Sequence, residues 1–215
     1  MSVPFLEAVD GLDEEAFQAL YGPWEPLAPD EVAELLAASG MRWWIAGGRA
    51  ARAGAAPRQH ADTDVSVLAG DLPAVRQVMG GWHLWEAVEG TLRPLLPGVA
   101  LTAGCHQLWV RRDARRPWAM EFLLDAVSTS EEWVFKRDPS VRLPWARAAH
   151  TVDGVGYLRP EVALLYKARP DRAKDRADLA AARLDPDARA WLAGTLERLG
   201  YREWAQLARE GPRAR

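Results

Sequence analysis

Two short apolar runs constrain this chain more than anything else in it. The first, Trp43-Trp44-Ile45-Ala46, ends in the glycine pair Gly47-Gly48; the second, Asp62-Thr63-Asp64-Val65-Ser66-Val67, carries aspartates at alternate positions. Such runs, bounded by glycine and polar residues, read as strands. Alternate residues of a strand point to one face, so Asp62 and Asp64 project side by side, about 6–7 Å apart along the strand. Two carboxylates that close repel each other and shift a pKa upward unless a cation sits between them. Mg2+ takes oxygen ligands and commonly binds through one or two carboxylates plus substrate phosphates. The pair therefore reads as a metal site for a phosphate-bearing ligand.

Period and punctuation sort the remaining residues. Residues 12–21 carry apolar positions at helical spacing and are broken by Gly22-Pro23-Trp24-Glu25-Pro26. Residues 29–39 read as a helix, with Pro29 in the first turn, Asp30 and Glu31 at the positive end of the dipole, and Gly40 at C′. A strand over 42–46, a short helix over 49–53 and a polar loop over 54–59 follow. Residues 65–68 complete the aspartate strand, and 71–79 read as a helix capped by Asp71. Strands are expected over 82–86, 107–112 and 118–124, separated by glycine, proline and charged turns. From Pro160 the pattern is helical, over 161–168, 171–184, 187–199 and 203–208. Strands with helices, then helices alone, predict an α+β fold: residues 1–158 as a sheet-containing domain, residues 159–215 as an α-helical C-terminal subdomain.

Composition narrows the function classes. Apolar content of 49% and charged content of 27% are those of a soluble globular protein. The formal net charge of −3 gives no global basic field, so a nucleic-acid partner is not expected. The single cysteine, Cys105, excludes an internal disulfide and a Cys-based zinc site, which fits a reducing compartment. No apolar run approaches the ~20 residues that span a bilayer. The start, Met1-Ser2-Val3-Pro4-Phe5, lacks the basic and apolar regions of a signal peptide. The expectation is a cytoplasmic protein with no membrane partner.

Glu121 lies in Met120-Glu121-Phe122-Leu123-Leu124-Asp125, where a buried acid is costly unless paired or metal-bound. Asp125, four residues on, shares its face in a regular strand, so either could be a third carboxylate; the plainer reading is an edge residue paired with an arginine. Together these elements resemble the polymerase beta-type nucleotidyltransferases. The closer resemblance is to the small bacterial branch that includes aminoglycoside and lincosamide nucleotidyltransferases. It rests on the Trp-rich strand with Gly47-Gly48, on Arg58-Gln59-His60-Ala61-Asp62-Thr63-Asp64, on the segment from Tyr157-Leu158-Arg159-Pro160-Glu161 to Tyr166-Lys167-Ala168, and on Arg172-Ala173-Lys174-Asp175-Arg176-Ala177-Asp178-Leu179.

The resemblance implies a nucleotidyltransferase fold, a mixed sheet flanked by helices, over the first domain. It also implies a two-metal transfer of a nucleoside monophosphate, AMP first among them, from an NTP to a hydroxyl of a small molecule such as an aminoglycoside-like antibiotic. Asp62, Asp64 and Glu121 would hold two Mg2+ ions, with Glu121 also taking the acceptor proton. Gly47, Gly48, Arg58, Lys167 and Lys174 would contact the nucleotide phosphates, although either lysine could equally sit on a solvated helix face. Two departures stand out: Arg49 follows the glycine pair where the branch commonly has a bulky residue, and Thr63 replaces an aliphatic one. Other readings are a transferase acting on a protein or tRNA, of toxin–antitoxin type, and a non-catalytic nucleotide-binding relative. His60 reads as a loop residue. The Arg111-Arg112 and Arg115-Arg116 cluster reads as a solvated hairpin tip. Trp82, Trp85, Trp109 and Trp133 are candidates for an acceptor wall among which the sequence does not choose.

Overall fold

The computed structural model describes residues 14–55 and 59–211, so Arg58 lies outside the described residues. Along the chain run α1 (Glu14–Tyr21), α2 (Pro29–Leu36), β1 (Trp43–Ile45), α3 (Gly47–Ala51), β2 (Asp64–Leu68), α4 (Leu72–Val78), β3 (His83–Val88), β4 (Thr91–Pro94), β5 (Gln107–Arg111), β6 (Met120–Asp125), β7 (Glu132–Val134), β8 (Arg142–Pro144), α5 (Trp145–Ala148), β9 (Ala149–Val152), β10 (Val155–Leu158), α6 (Pro160–Lys167), α7 (Ala173–Ala181), α8 (Pro186–Arg198) and α9 (Arg202–Glu210). The fold is mixed α+β. The chain divides into two compact units: Met1–Trp43 with Ala61–Ala126, and Trp44–His60 with Val127–Arg215. That division differs from a single cut at 158, because the strands and loops of 127–158 group with the C-terminal helices.

The first unit is built on five strands in the order β4-β3-β5-β6-β2. β2 and β6 run parallel and the other pairs antiparallel. The register separates two faces. One presents Val65, Val67, Leu108, Val110, Met120 and Phe122, all fully buried. Burial of such side chains stabilises by roughly 1.5–3 kcal/mol each, which makes this face the core of the unit. Thr63 points the same way and is fully buried, with its hydroxyl donating to the Leu27 carbonyl at 2.7 Å. Glu86 is buried on this face too, accepting from the Thr102 backbone N–H at 2.6 Å and from its hydroxyl at 2.7 Å. The opposite face carries the polar residues and the tryptophans described below.

In the second unit β1 runs parallel to β10, which pairs antiparallel with β9, and β7 pairs with β8. α6 is its central helix, with Pro160 to Leu165 and Lys167 buried. α8 and α9 contribute Leu192, Leu196, Trp204 and Ala208 to the core. α8 is capped by Asp185, which accepts from the Ala188 N–H at 2.8 Å. Asp71, expected to cap α4, makes no side-chain cap bond; it lies in the 3-10 turn Ala69–Asp71 that leads into the helix. Among the described residues no helix is long and apolar enough to cross a membrane.

Candidate functional site

On the polar face of the first unit the register brings two of the expected carboxylates side by side. Asp64 of β2 pairs with Glu121 of β6. Directly paired residues of neighbouring strands point to the same face, on backbones about 4.8 Å apart. The pairing is locked by the Glu121 N–H donating to the Thr63 carbonyl at 2.9 Å. Thr63 is held on the core face by Leu27, and Asp64, the first residue of β2, is turned to the other one; Asp62, expected on the same strand, lies two residues ahead of its start, outside the strand. Asp64 is half-buried and Glu121 is 7% exposed. Asp125 shares the face but pairs with Leu68, about 13 Å further along the strand. The register therefore places Glu121, and not Asp125, beside Asp64.

Thr63 was expected only to replace an aliphatic residue at little cost, but it pins this geometry. Thr63 is fully buried and the bond is partly so, and a buried acceptor left unpaired costs about 1–3 kcal/mol. Thr63→Val keeps the shape and removes the donor. It is expected to lower unfolding stability by that amount in urea titration; an unchanged midpoint would show that the Leu27 carbonyl finds another donor.

Next to Glu121 the same face becomes aromatic. Glu121 pairs with Trp109, and Trp109 pairs with Trp85. One rank of the sheet thus reads Asp64, Glu121, Trp109, Trp85. Trp109 and Trp118 form a small cluster with Ala87, against which Tyr21, Trp24, Trp85 and Leu92 pack. The rings meet edge to face, Trp24 on Trp109 at 5.0 Å and Trp109 on Trp118 at 5.4 Å between centroids. Of the four tryptophans considered from the sequence, Trp85 and Trp109 stand in line with the carboxylates. Trp82 lies just ahead of β3 in the same unit. Trp133 is buried in the second unit, against Phe135 and Tyr166.

The second unit holds the glycine pair. α3 follows β1 directly, and Gly47 has φ +55°, a left-handed conformation that glycine takes without strain. Gly48 is buried. Lys167 does not sit on a solvated helix face: it is 8% exposed, and its ammonium bonds the Asp175 carboxylate at 2.9 Å and that of Asp178 at 3.1 Å. Its charge is committed within the protein. Arg172 binds Asp175 at 2.8 Å, and Arg52, just past α3, approaches Asp178 at 3.8 Å. The result is a chain of alternating charge, Arg172–Asp175–Lys167–Asp178–Arg52. Lys174, on α7 just ahead of Asp175, is exposed. Burial alone would raise the Asp175 carboxyl, but hydrogen bonds and charge from Arg172 and Lys167 outweigh it and hold that carboxyl below its ordinary range. The i, i+3 spacing of Asp175 and Asp178 was the available sequence signal for this chain.

Asp62, Asp64 and Glu121 offer oxygen ligands only, which suits a hard cation such as Mg2+ and no soft one. Among the described residues no three His, Cys, Asp or Glu side chains are gathered within reach of a single metal ion. What fits the cation is therefore the donor chemistry and the backbone register. Compared with known protein families the chain matches no family model, and no curated protein matches it.

Proposed function

We propose that the protein is an Mg2+-dependent nucleotidyltransferase that moves a nucleoside monophosphate from an NTP to an acceptor hydroxyl. The observation that carries this reading is the pairing of Asp64 with Glu121 on one sheet face, with Asp62 two residues ahead of Asp64. Asp62, Asp64 and Glu121 would hold the metal; when bound, two such ions neutralise charge on the triphosphate and act as Lewis acids on the attacking and leaving oxygens. Glu121, 7% exposed beside the tryptophans, is the group to receive the acceptor hydroxyl proton on a carboxylate oxygen. Lys167 is not part of this proposal, since Asp175 and Asp178 occupy it.

The acceptor that the resemblance implies is a small molecule. A second reading, transfer to RNA, is favoured by the arginines and tryptophans beside the carboxylates. Calorimetry with ATP and GTP, with and without Mg2+, tests the core of the proposal. Binding is expected only with the metal. Equal affinity in its absence, or no binding of either nucleotide, would overturn it.

A further inference from the structure

The formal charge of −3 hides an uneven distribution. Between Gln107 and Trp118 there are four arginines, Arg111, Arg112, Arg115 and Arg116, against one acid, Asp113. Arg112, Arg115 and Arg116 are exposed. Among the described residues none of the four makes an ion pair, whereas Arg142, Arg172, Arg176 and Arg209 of the second unit all do. Asp113 is turned back onto its own loop, accepting from the Arg115 N–H at 2.8 Å. Two of the arginines are braced on indoles. The Arg111 guanidinium lies 4.3 Å from the Trp118 ring centre and 4.9 Å from that of Trp85, and the Arg112 guanidinium lies 4.2 Å from Trp82. The Nε of Arg111 is buried with no hydrogen-bond partner. Burial pulls its pKa down from the ordinary value, and the charge of nearby Asp113 offsets this only in part.

The strand directions put this group at the carboxylate end of the sheet. β5 runs antiparallel to β6 and β3, so Arg111 stands level with the start of both; β2 is parallel to β6, so Asp62 and Asp64 belong to that same end. Arg111 is two residues from Trp109, the pairing partner of Glu121, and therefore shares its face.

We propose that this end of the first unit, comprising Arg111, Arg112, Arg115, Arg116, Trp82 and Trp85, is a docking surface for single-stranded nucleic acid. Uncompensated arginines follow a phosphate backbone, while half-exposed indoles and guanidinium planes stack on unpaired bases. An acidic protein would use the charges but has no need of the rings; a duplex hides its bases. Binding stands on these observations by itself. That the bound strand presents its terminal hydroxyl to Glu121 rests on the nucleotidyl transfer proposed above.

Fluorescence anisotropy with a labelled oligouridylate of about 12 nucleotides tests it. The native chain is expected to bind, with affinity falling as salt rises. Arg112→Gln/Arg115→Gln/Arg116→Gln together should weaken binding ~10-fold or more and flatten the log–log salt slope by about 2, at about 0.7 per lost phosphate contact. Trp82→Leu should weaken it ~5-fold or more through lost stacking. The same charge removed from exposed arginines of the second unit, Arg169→Gln/Arg183→Gln/Arg202→Gln, should change little. No binding by the native chain, equal losses in the two triple variants, an unaffected Trp82→Leu, or equal affinity for blunt duplex RNA would each overturn the proposal. None of these results depends on NTP, so they are independent of the calorimetry above.

Discussion

Asp64→Asn is expected to abolish nucleotidyl transfer and leave the chain folded. The substitution keeps the shape and removes one charge from a face on which Asp64 and Glu121 are paired, so repulsion falls and the protein can gain stability. The same lost charge weakens any hard cation bound there. Glu121→Gln acts differently: loss of a general base costs ~100- to 10,000-fold in rate, with a smaller effect on nucleotide affinity. Asp125→Asn is the internal control, because Asp125 pairs with Leu68 and stands well along the strand from Asp64. Turnover and NTP affinity measured for all three variants decide the assignment. If Asp125→Asn stops turnover and Glu121→Gln does not, the third carboxylate is Asp125. If neither matters, the reading as a transferase fails and nucleotide binding without turnover becomes the better one.

How far these assignments could be read from the sequence depends on which physical signal was local. The aspartate strand is encoded by alternation over a few residues, but β2 starts at Asp64, two residues later than expected, and leaves Asp62 outside it. β3, β5 and β6 likewise follow alternation bounded by turn residues, and α6 to α9 follow proline, aspartate and glycine punctuation. β4 and β7 to β10 left no such trace. Arg142-Leu143-Pro144 and Val155-Gly156-Tyr157-Leu158 are three and four residues long, and what makes them strands is their partners. Register was equally out of reach. Glu121 and Asp125 share a face in any regular strand, and only the offset between β2 and β6 separates them. Burial explains the case of Lys167. A lysine near a helix end reads as solvated, but α6 is enclosed on nearly every side and its last turn carries Lys167 into contact with two acids of α7.

Replacing that lysine gives the second large effect. Asp175 and Asp178 are fully buried, and Lys167 is the cation they share. Lys167→Met retains the apolar stem and leaves two buried carboxylates with less compensation, at a cost of about 3–5 kcal/mol. Arg172 and Arg52 remain at the ends of the chain, so the lower part of that range is expected. Guanidinium unfolding measures it. The pH dependence separates loss of charge from loss of packing. In the native chain the Asp175 carboxyl is held below its ordinary value, so its contribution is fully present above the unfolded-state pKa of about 3.9 and disappears as pH falls through the lower folded value. In Lys167→Met one of the cations that hold Asp175 ionised is gone and burial opposes its charge more strongly, so protonation relieves the variant as pH falls. The stability gap between the two proteins is therefore expected to narrow between pH 7 and pH ~4. Lys167→Met/Asp175→Asn/Asp178→Asn should recover much of the loss at neutral pH, because a buried ion pair costs most when only one side is removed. A gap that stays constant with pH, or a triple variant no more stable than the single one, would mean that Lys167 matters for its packing and not for its charge.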